Sequence, residues 1–333
     1  MVAGAAVALG IAVSGCGEDS ETQPPAGPLA DALAGIGGGG EGASLGVGWA
    51  DPRLVNEGPA GTELIADALG PNAGSVVEAA PRLSRRFGLD PLSAEALTSV
   101  GGSYAFGIRI DGVDGRRLRR ALLAAGGRAR HGGRLELVEI GAYAVVPEPL
   151  LSTGVNGLGA FDAFGRRLIV LAISDRARAA LLGRGDHLID EPTYRAAADC
   201  LGDVVAARMV PDKLLISAEL GVDLVAVGVS DEGELLCVLG GTAERADQVA
   251  AALETSLDRD ARDPASGEPI GHSVAAVEVA RSAFEEVEVV RAEVTLASGQ
   301  EPGYLFGTLS RGAVVGMINA SPETIRSIDG DGP

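Results

Sequence analysis

Aromatic, histidine and cysteine residues are scarce in this sequence, and their scarcity narrows the functions it could have. One tryptophan, four tyrosines and six phenylalanines among 333 residues are too few for a binding surface built from stacked aromatic rings. Three histidines and three cysteines leave little material for a metal centre. We therefore expect no metal, no cofactor and no enzymatic activity.

Positive charge is also limited. The 27 basic and 46 acidic residues give a formal net charge of −19, and Lys213 is the only lysine. Because such a protein repels the phosphate backbone, nucleic acid is excluded as a partner. The hydrophobic content of 46% excludes disorder along the whole chain. The length fits one large domain or two modest ones.

The first 15 residues contain no charged side chain. Their apolar run is shorter than the roughly 20 residues that span a bilayer, and it fits the hydrophobic region of a signal peptide. The quartet Val13-Ser14-Gly15-Cys16 follows and resembles the lipobox of bacterial lipoproteins. In that family a signal peptidase cuts before the cysteine, which then carries a lipid. The resemblance implies lipidation of Cys16, for example by palmitate, and attachment to the extracytoplasmic face of the cell membrane.

The expected basic residues at the start of a signal peptide are missing, since the first arginine is Arg53. We therefore expect the true translation start to lie upstream of Met1. The alternative is a buried apolar helix with an incidental cysteine. The richness in alanine, glycine and arginine, together with residues 190–197, resembles actinobacterial exported lipoproteins of unknown function.

The sequence divides into five segments. We expect a signal peptide over residues 1–15 and the lipidated cysteine with a flexible, proline- and glycine-rich tether over residues 16–42. Residues 43–210 and 211–320 read as two α+β halves, and residues 321–333 as a disordered tail.

Three times along the chain, an apolar strand leads into a capping residue and an apolar helix. The predicted strands are 104–110, 168–173 and 234–239, and the caps are Asp114, Ser174 and Thr242. This repetition is consistent with a diverged internal duplication. Strands with few intervening helices in the last third favour an α+β fold, with antiparallel sheet or sheets and helices packed on one face.

Two glycine motifs lack the context that their chemistry requires. Residues 42–46 match the pattern of a nucleophile elbow around Ser44, but a strand follows where a helix is needed. Gly37, Gly39 and Gly42 match a dinucleotide-binding pattern, but no strand precedes them. We read both as a flexible entry into a strand.

His131, His187 and His272 lie in predicted loops without the spacing of a metal site. We expect them to be solvated. Val210 stands three residues before Lys213, so the serine–lysine motif of penicillin-binding proteins is absent.

Cys200 and Cys237 form the one candidate disulfide, because Cys16 is taken by the lipid and an exported domain permits oxidation. Such a bond would contribute about 3 to 4 kcal/mol in the chain-entropy model. Two buried free thiols are the alternative.

Four arginines, Arg116, Arg117, Arg119 and Arg120, cluster on the helix after Asp114. They could contact anionic lipid headgroups. Alternatively, they form a solvated face that is balanced by Asp111 and Asp114.

No catalytic residue can be named from these patterns. The leading hypothesis is a non-catalytic binding or scaffolding module for an unknown protein partner at the outer face of the membrane. The second is a carrier of a lipid or other apolar ligand. The third is a hydrolase whose site is formed only in the folded chain.

Overall fold

The computed structural model describes residues 26–39, 45–55, 61–102, 105–124, 128–129, 134–136, 160–164, 168–172, 174–215, 220–263 and 267–319. The predicted signal peptide, Cys16 and the predicted tail lie outside these residues. Among the helices that are described, none is long and apolar enough to cross a membrane.

Within these residues, twelve strands form one antiparallel sheet with the order β11-β12-β10-β9-β8-β1-β2-β3-β7-β6-β5-β4. The strands are β1 (Gly46–Ala50), β2 (Ala96–Gly102), β3 (Ala105–Asp111), β4 (Arg128–Ala129), β5 (Arg134–Glu136), β6 (Ala160–Phe164), β7 (Leu168–Ala172), β8 (Ala206–Pro211), β9 (Leu224–Val229), β10 (Glu234–Leu239), β11 (Val274–Phe284) and β12 (Val287–Leu296).

The α-helices in the described residues are α1 (Pro28–Ala34), α2 (Pro52–Val55), α3 (Gly61–Leu69), α4 (Pro71–Glu78), α5 (Ala80–Phe87), α6 (Gly115–Ala124), α7 (Asp175–Leu181), α8 (Pro192–Leu201), α9 (Ala243–Ser256), α10 (Tyr304–Ser310) and α11 (Ala313–Asn319). The predicted α+β class with an antiparallel sheet is confirmed.

The three predicted strand–cap–helix units are present as β3–α6, β7–α7 and β10–α9. In each unit, the predicted capping side chain accepts a backbone N–H from the first turn of the helix. Asp114 accepts from Arg116 at 3.0 Å, Ser174 from Ala177 at 3.1 Å, and Thr242 from Arg245 at 3.2 Å. Each bond satisfies one of the N–H groups that a helix start leaves unpaired.

Helices cover both faces of the sheet, and in this respect the structure differs from the prediction of helices on one face. Every residue of β9 and β10 is buried, so both faces of these strands need cover. Leu236 lies in a core with Leu253 of α9, and we call this the first core. Leu235 lies in a second core on the opposite face with Leu201 of α8.

The sheet consists of two halves that meet at the antiparallel β1–β8 pair. Outward from β1 the order is β2, β3, β7 and β6, and outward from β8 it is β9, β10, β12 and β11. A helix follows β3 and β10 alike, and α6 and α9 begin at Gly115 and Ala243, an offset of 128 residues. The turns before them use Gly112 and Gly240, again 128 apart, with φ of 82° and 87°. From this shared order of elements and spacing we infer an approximate two-fold relation between the halves.

Candidate functional site

A cavity of about 310 Å³ lies on the first-core side of the sheet centre, where β1, β2 and β8 meet. Glycines form its floor, because Gly46 of β1 pairs directly with Gly101 of β2. A Cβ atom placed on Gly101 would meet no atom within 4 Å. The missing side chain at this position therefore leaves open space above the sheet.

The turn between α3 and α4 forms one wall of the cavity through Leu69, Gly70 and Pro71. Gly70 adopts a φ of 81°, which a residue without a Cβ tolerates best and which lets α4 start at the cavity. The hydroxyl of Ser99 donates to the Leu69 carbonyl at 2.8 Å and holds this wall against β2. Phe106 of β3 adds an apolar surface.

Arg208 of β8 provides the one charged side chain among the described lining residues. Its Nη1 donates to the hydroxyl of Ser310 at 2.7 Å and more weakly to the Asp67 carbonyl at 3.5 Å. Burial lowers the pKa of Arg208, against the effect of the nearby Asp67 carboxylate. Within the described residues, Nε and Nη2 have no acceptor, although a guanidinium carries five N–H donors.

This arrangement suits a small ligand with an apolar body and an anionic group. The glycine floor, Phe106 and Leu69 would contact the apolar part, while Nε and Nη2 of Arg208 could bind a carboxylate or phosphate. The volume lies at the lower end of the range for small-molecule sites, about 300 to 1,000 Å³.

A second, more polar cavity of about 480 Å³ lies between α3 and the start of α10. Beside it the Glu234 carboxylate, 1% exposed, accepts the backbone N–H groups of Gly303, Tyr304 and Leu305. Glu234 thus caps the N-terminus of α10 and has a structural role. Across the described residues, no group of acidic, histidine or cysteine side chains could hold a metal ion.

The predicted disulfide is confirmed. Cys200 of α8 and Cys237 of β10 are bonded, with their Cα atoms 6.4 Å apart, inside the range for disulfides. The two residues are 7% and 0% exposed and belong to the second core. The bond therefore fixes α8 to the sheet.

The predicted arginine cluster lies on the surface of α6. Arg116, Arg117 and Arg120 are exposed, and Arg119 is half-buried. Near this helix, Asp111 forms its salt bridge with Arg109, at 2.8 Å between Nε and Oδ2, and not with an arginine of the cluster.

The neighbouring helix α5 packs against α6 and enlarges this surface. It adds the exposed arginines Arg82, Arg85 and Arg86, and the Arg117 side chain lies over Gly88 directly after α5. We call the seven arginines of α5 and α6 the basic face.

Two of the three histidines, His187 and His272, lie in the described residues. His272 is exposed in a short 3₁₀ helix, as predicted. His187 is half-buried, because Gly37 forms a β-bridge with it. His131 lies outside the described residues, as do Gly42, Ala43 and Ser44 of the glycine motifs.

Sequence reasoning missed Gly101 and Arg208. Each β1 and β2 glycine is visible in the sequence, but only the strand register shows that Gly46 and Gly101 face each other. No known protein-family model matches the chain, and comparisons with curated proteins and with solved structures give no significant match. The function is therefore argued from the site itself.

Proposed function

We propose that this protein is a lipid-anchored, extracytoplasmic carrier or binding protein that holds a small ligand with an apolar body and an acidic group. The observation that supports the ligand class is the open space above Gly101 in a cavity that Arg208 also lines, with Nε and Nη2 of Arg208 lacking an acceptor within the described residues. The lipobox-like quartet ending at Cys16 supports the anchor.

The apolar walls alone would fit a neutral ligand, but the partly buried charge of Arg208 favours an anionic one. A guanidinium that is partly removed from water loses hydration, and a neutral apolar ligand would complete this loss without compensation. An anionic group restores the lost interactions through charge-assisted hydrogen bonds. We therefore place an acid, with its charged end towards Arg208, in the cavity.

This proposal joins two of the sequence hypotheses. A non-catalytic binding module is retained, and the partner becomes a small amphipathic molecule. A flat docking surface for a protein would need no cavity at the centre of the sheet.

Calorimetry with octanoate and with octanol tests the ligand class, because the two probes share a chain and differ in charge. Since a hydrogen bond to a charged group contributes about 1.5 to 3 kcal/mol, octanoate should bind at least roughly tenfold more tightly. Equal affinities, or no binding of either probe, would exclude the proposed role of Arg208.

Gly101→Leu tests the location, because its side chain would occupy the open space on the floor. The variant should fold and lose octanoate binding. Ala280→Leu is the matched control, since it adds a similar side chain to an exposed position of β11 and should bind as the unmodified chain does. Octanoate binding that survives in Gly101→Leu would place the ligand elsewhere.

The anchor has a separate test. We expect Cys16→Ser to move the protein from the membrane fraction to the soluble fraction of the producing cell. Mass spectrometry of the N-terminal peptide should show acyl chains on Cys16 only in the unmodified chain. An unacylated N-terminus in the unmodified protein would remove the anchor but leave the cavity proposal standing.

A further inference from the structure

The basic face stands out in a protein whose formal net charge is −19. Helices α5 and α6 carry seven arginines and no acidic residue. Within the described residues, no carboxylate lies within salt-bridge distance of Arg116, Arg117 or Arg120, and all three are exposed. Because these side chains are exposed, their charge can act on a partner.

The two-fold relation of the halves provides an internal comparison for this face. Helix α9 is the counterpart of α6, with residue numbers 128 higher. At the positions of Arg116 and Arg119, α9 has Glu244 and Asp247. Two helices in equivalent places thus carry opposite charge, so the charge of α6 is not a requirement of the fold.

An exposed apolar side chain completes the face. Leu123 is 40% exposed, and Leu54 is the only other large hydrophobic residue exposed to this degree in the described chain. Arg116, Arg120 and Leu123 follow one another at i, i+4 and i+7, so they lie along one side of α6. Arginines around an apolar side chain are typical of surfaces that lie on a bilayer.

We propose that the basic face binds the headgroups of anionic lipids and so orients the folded domain on the membrane. Arginines attract an anionic bilayer, and Leu123 enters the interfacial region. The acidic counterpart α9 is repelled, which selects one orientation. Residues 17–27, between the proposed anchor and α1, could extend over about 35 Å, which lets the folded domain turn relative to the anchor. This proposal does not depend on the cavity.

A polarity-sensitive fluorophore on Leu123→Cys reports whether this surface enters a bilayer. For this purpose the full chain also carries Cys16→Ser. Because Cys200 and Cys237 are joined in a disulfide, the engineered cysteine is then the only free thiol. Vesicles of phosphatidylcholine with phosphatidylglycerol should shift the emission to the blue at low salt. Vesicles of phosphatidylcholine alone should not, and salt at about 0.5 M should reverse the shift. The readout is local, so it is independent of how the apolar N-terminus behaves.

The matched control label is placed on Ala251→Cys, the exposed two-fold equivalent of Leu123 on α9. It should show no shift with either kind of vesicle. Equal shifts at both positions, or none at Leu123→Cys, would overturn the proposal. A shift caused by soluble heparin but not by anionic vesicles would overturn it in favour of an acidic macromolecule.

Replacing arginines by uncharged glutamine tests which arginines bind the vesicles. Each arginine near an anionic surface contributes about a fivefold gain in partition, so Arg116→Gln with Arg120→Gln should weaken the vesicle titration roughly 30-fold. The control pair, Arg176→Gln with Arg184→Gln, removes the same charge from exposed positions in and after α7. It should titrate like the unmodified chain, and an equal loss in both pairs would show that only net charge matters and so refute the proposal.

Discussion

Replacing Gly48 by alanine should force helix α3 away from the sheet. A Cβ atom on Gly48 would lie 2.4 Å from the Ala68 carbonyl oxygen and 2.7 Å from the Leu69 Cα. Both are backbone atoms of α3, so no side-chain rotation can relieve the clash. The helix must move by about 1 Å to restore ordinary contact, although it buries Leu64 and Ile65 in the first core.

The expected cost is about 3 kcal/mol, at the upper end for overpacked cores. The same methyl group would also crowd the Ser99 hydroxyl, at 2.5 Å, which holds Leu69 in place. Gly101→Ala is the matched control, since it lies on the same face of the neighbouring strand and meets no atom within 4 Å. There we expect a gain of about 0.5 to 1 kcal/mol, because alanine loses less entropy on folding.

Urea unfolding of the disulfide-intact chain measures both variants. Trp49 is the only tryptophan, is 1% exposed and lies next to Gly48, so its fluorescence reports this region. With a slope of about 3 kcal/mol/M, the two midpoints should separate by about 1 M. A Gly48→Ala protein within about 0.5 kcal/mol of the unmodified chain would refute the described contact of α3, and with it one wall of the cavity.

Two further predictions concern the rest of the core. Changing Cys200 and Cys237 together to alanine should lower the free energy of unfolding by about 3 to 4 kcal/mol, measured in urea, and an unchanged midpoint would show that the bond adds no stability. Burial raises the pKa of Glu234 above its ordinary 4.5, so the folded chain binds this proton more tightly than the unfolded chain. Its contribution to stability is full below pH 4.5 and is lost as the pH rises through the folded value. Between pH 4 and about 7, the free energy of unfolding should therefore fall less with rising pH in Glu234→Gln than in the exposed control Glu232→Gln. Parallel curves for the two variants would contradict this.

The sequence predicted elements that carry local signals. Asp114, Ser174 and Thr242 precede their helices at a spacing that follows from capping alone, and all three cap in the structure. The cysteine pair was predicted by counting, because the expected lipidation of Cys16 leaves two thiols and therefore one pairing.

Elements whose character depends on distant neighbours were missed or misjudged. Strands β8 and β9 are buried on both faces, so their residues show little alternation and give no period to read. The same burial explains why the helices lie on both faces instead of one. Gly101 and Arg208 come together only through the pairing of β1 with β2 and β8, which no local pattern reveals.

Both proposed surfaces lie where the two halves of the sheet differ. Between β1 and β2 the chain inserts α2 to α5, whereas β8 and β9 are separated by only 12 residues. Helices α3 and α4 from this insertion wall the cavity, and α5 extends the basic face. Across the two-fold axis, Gly48 pairs with Arg208, so one strand supplies space and the other supplies charge. A symmetric sheet would have neither the pocket nor the charge asymmetry, and we infer that the departures from symmetry carry the function.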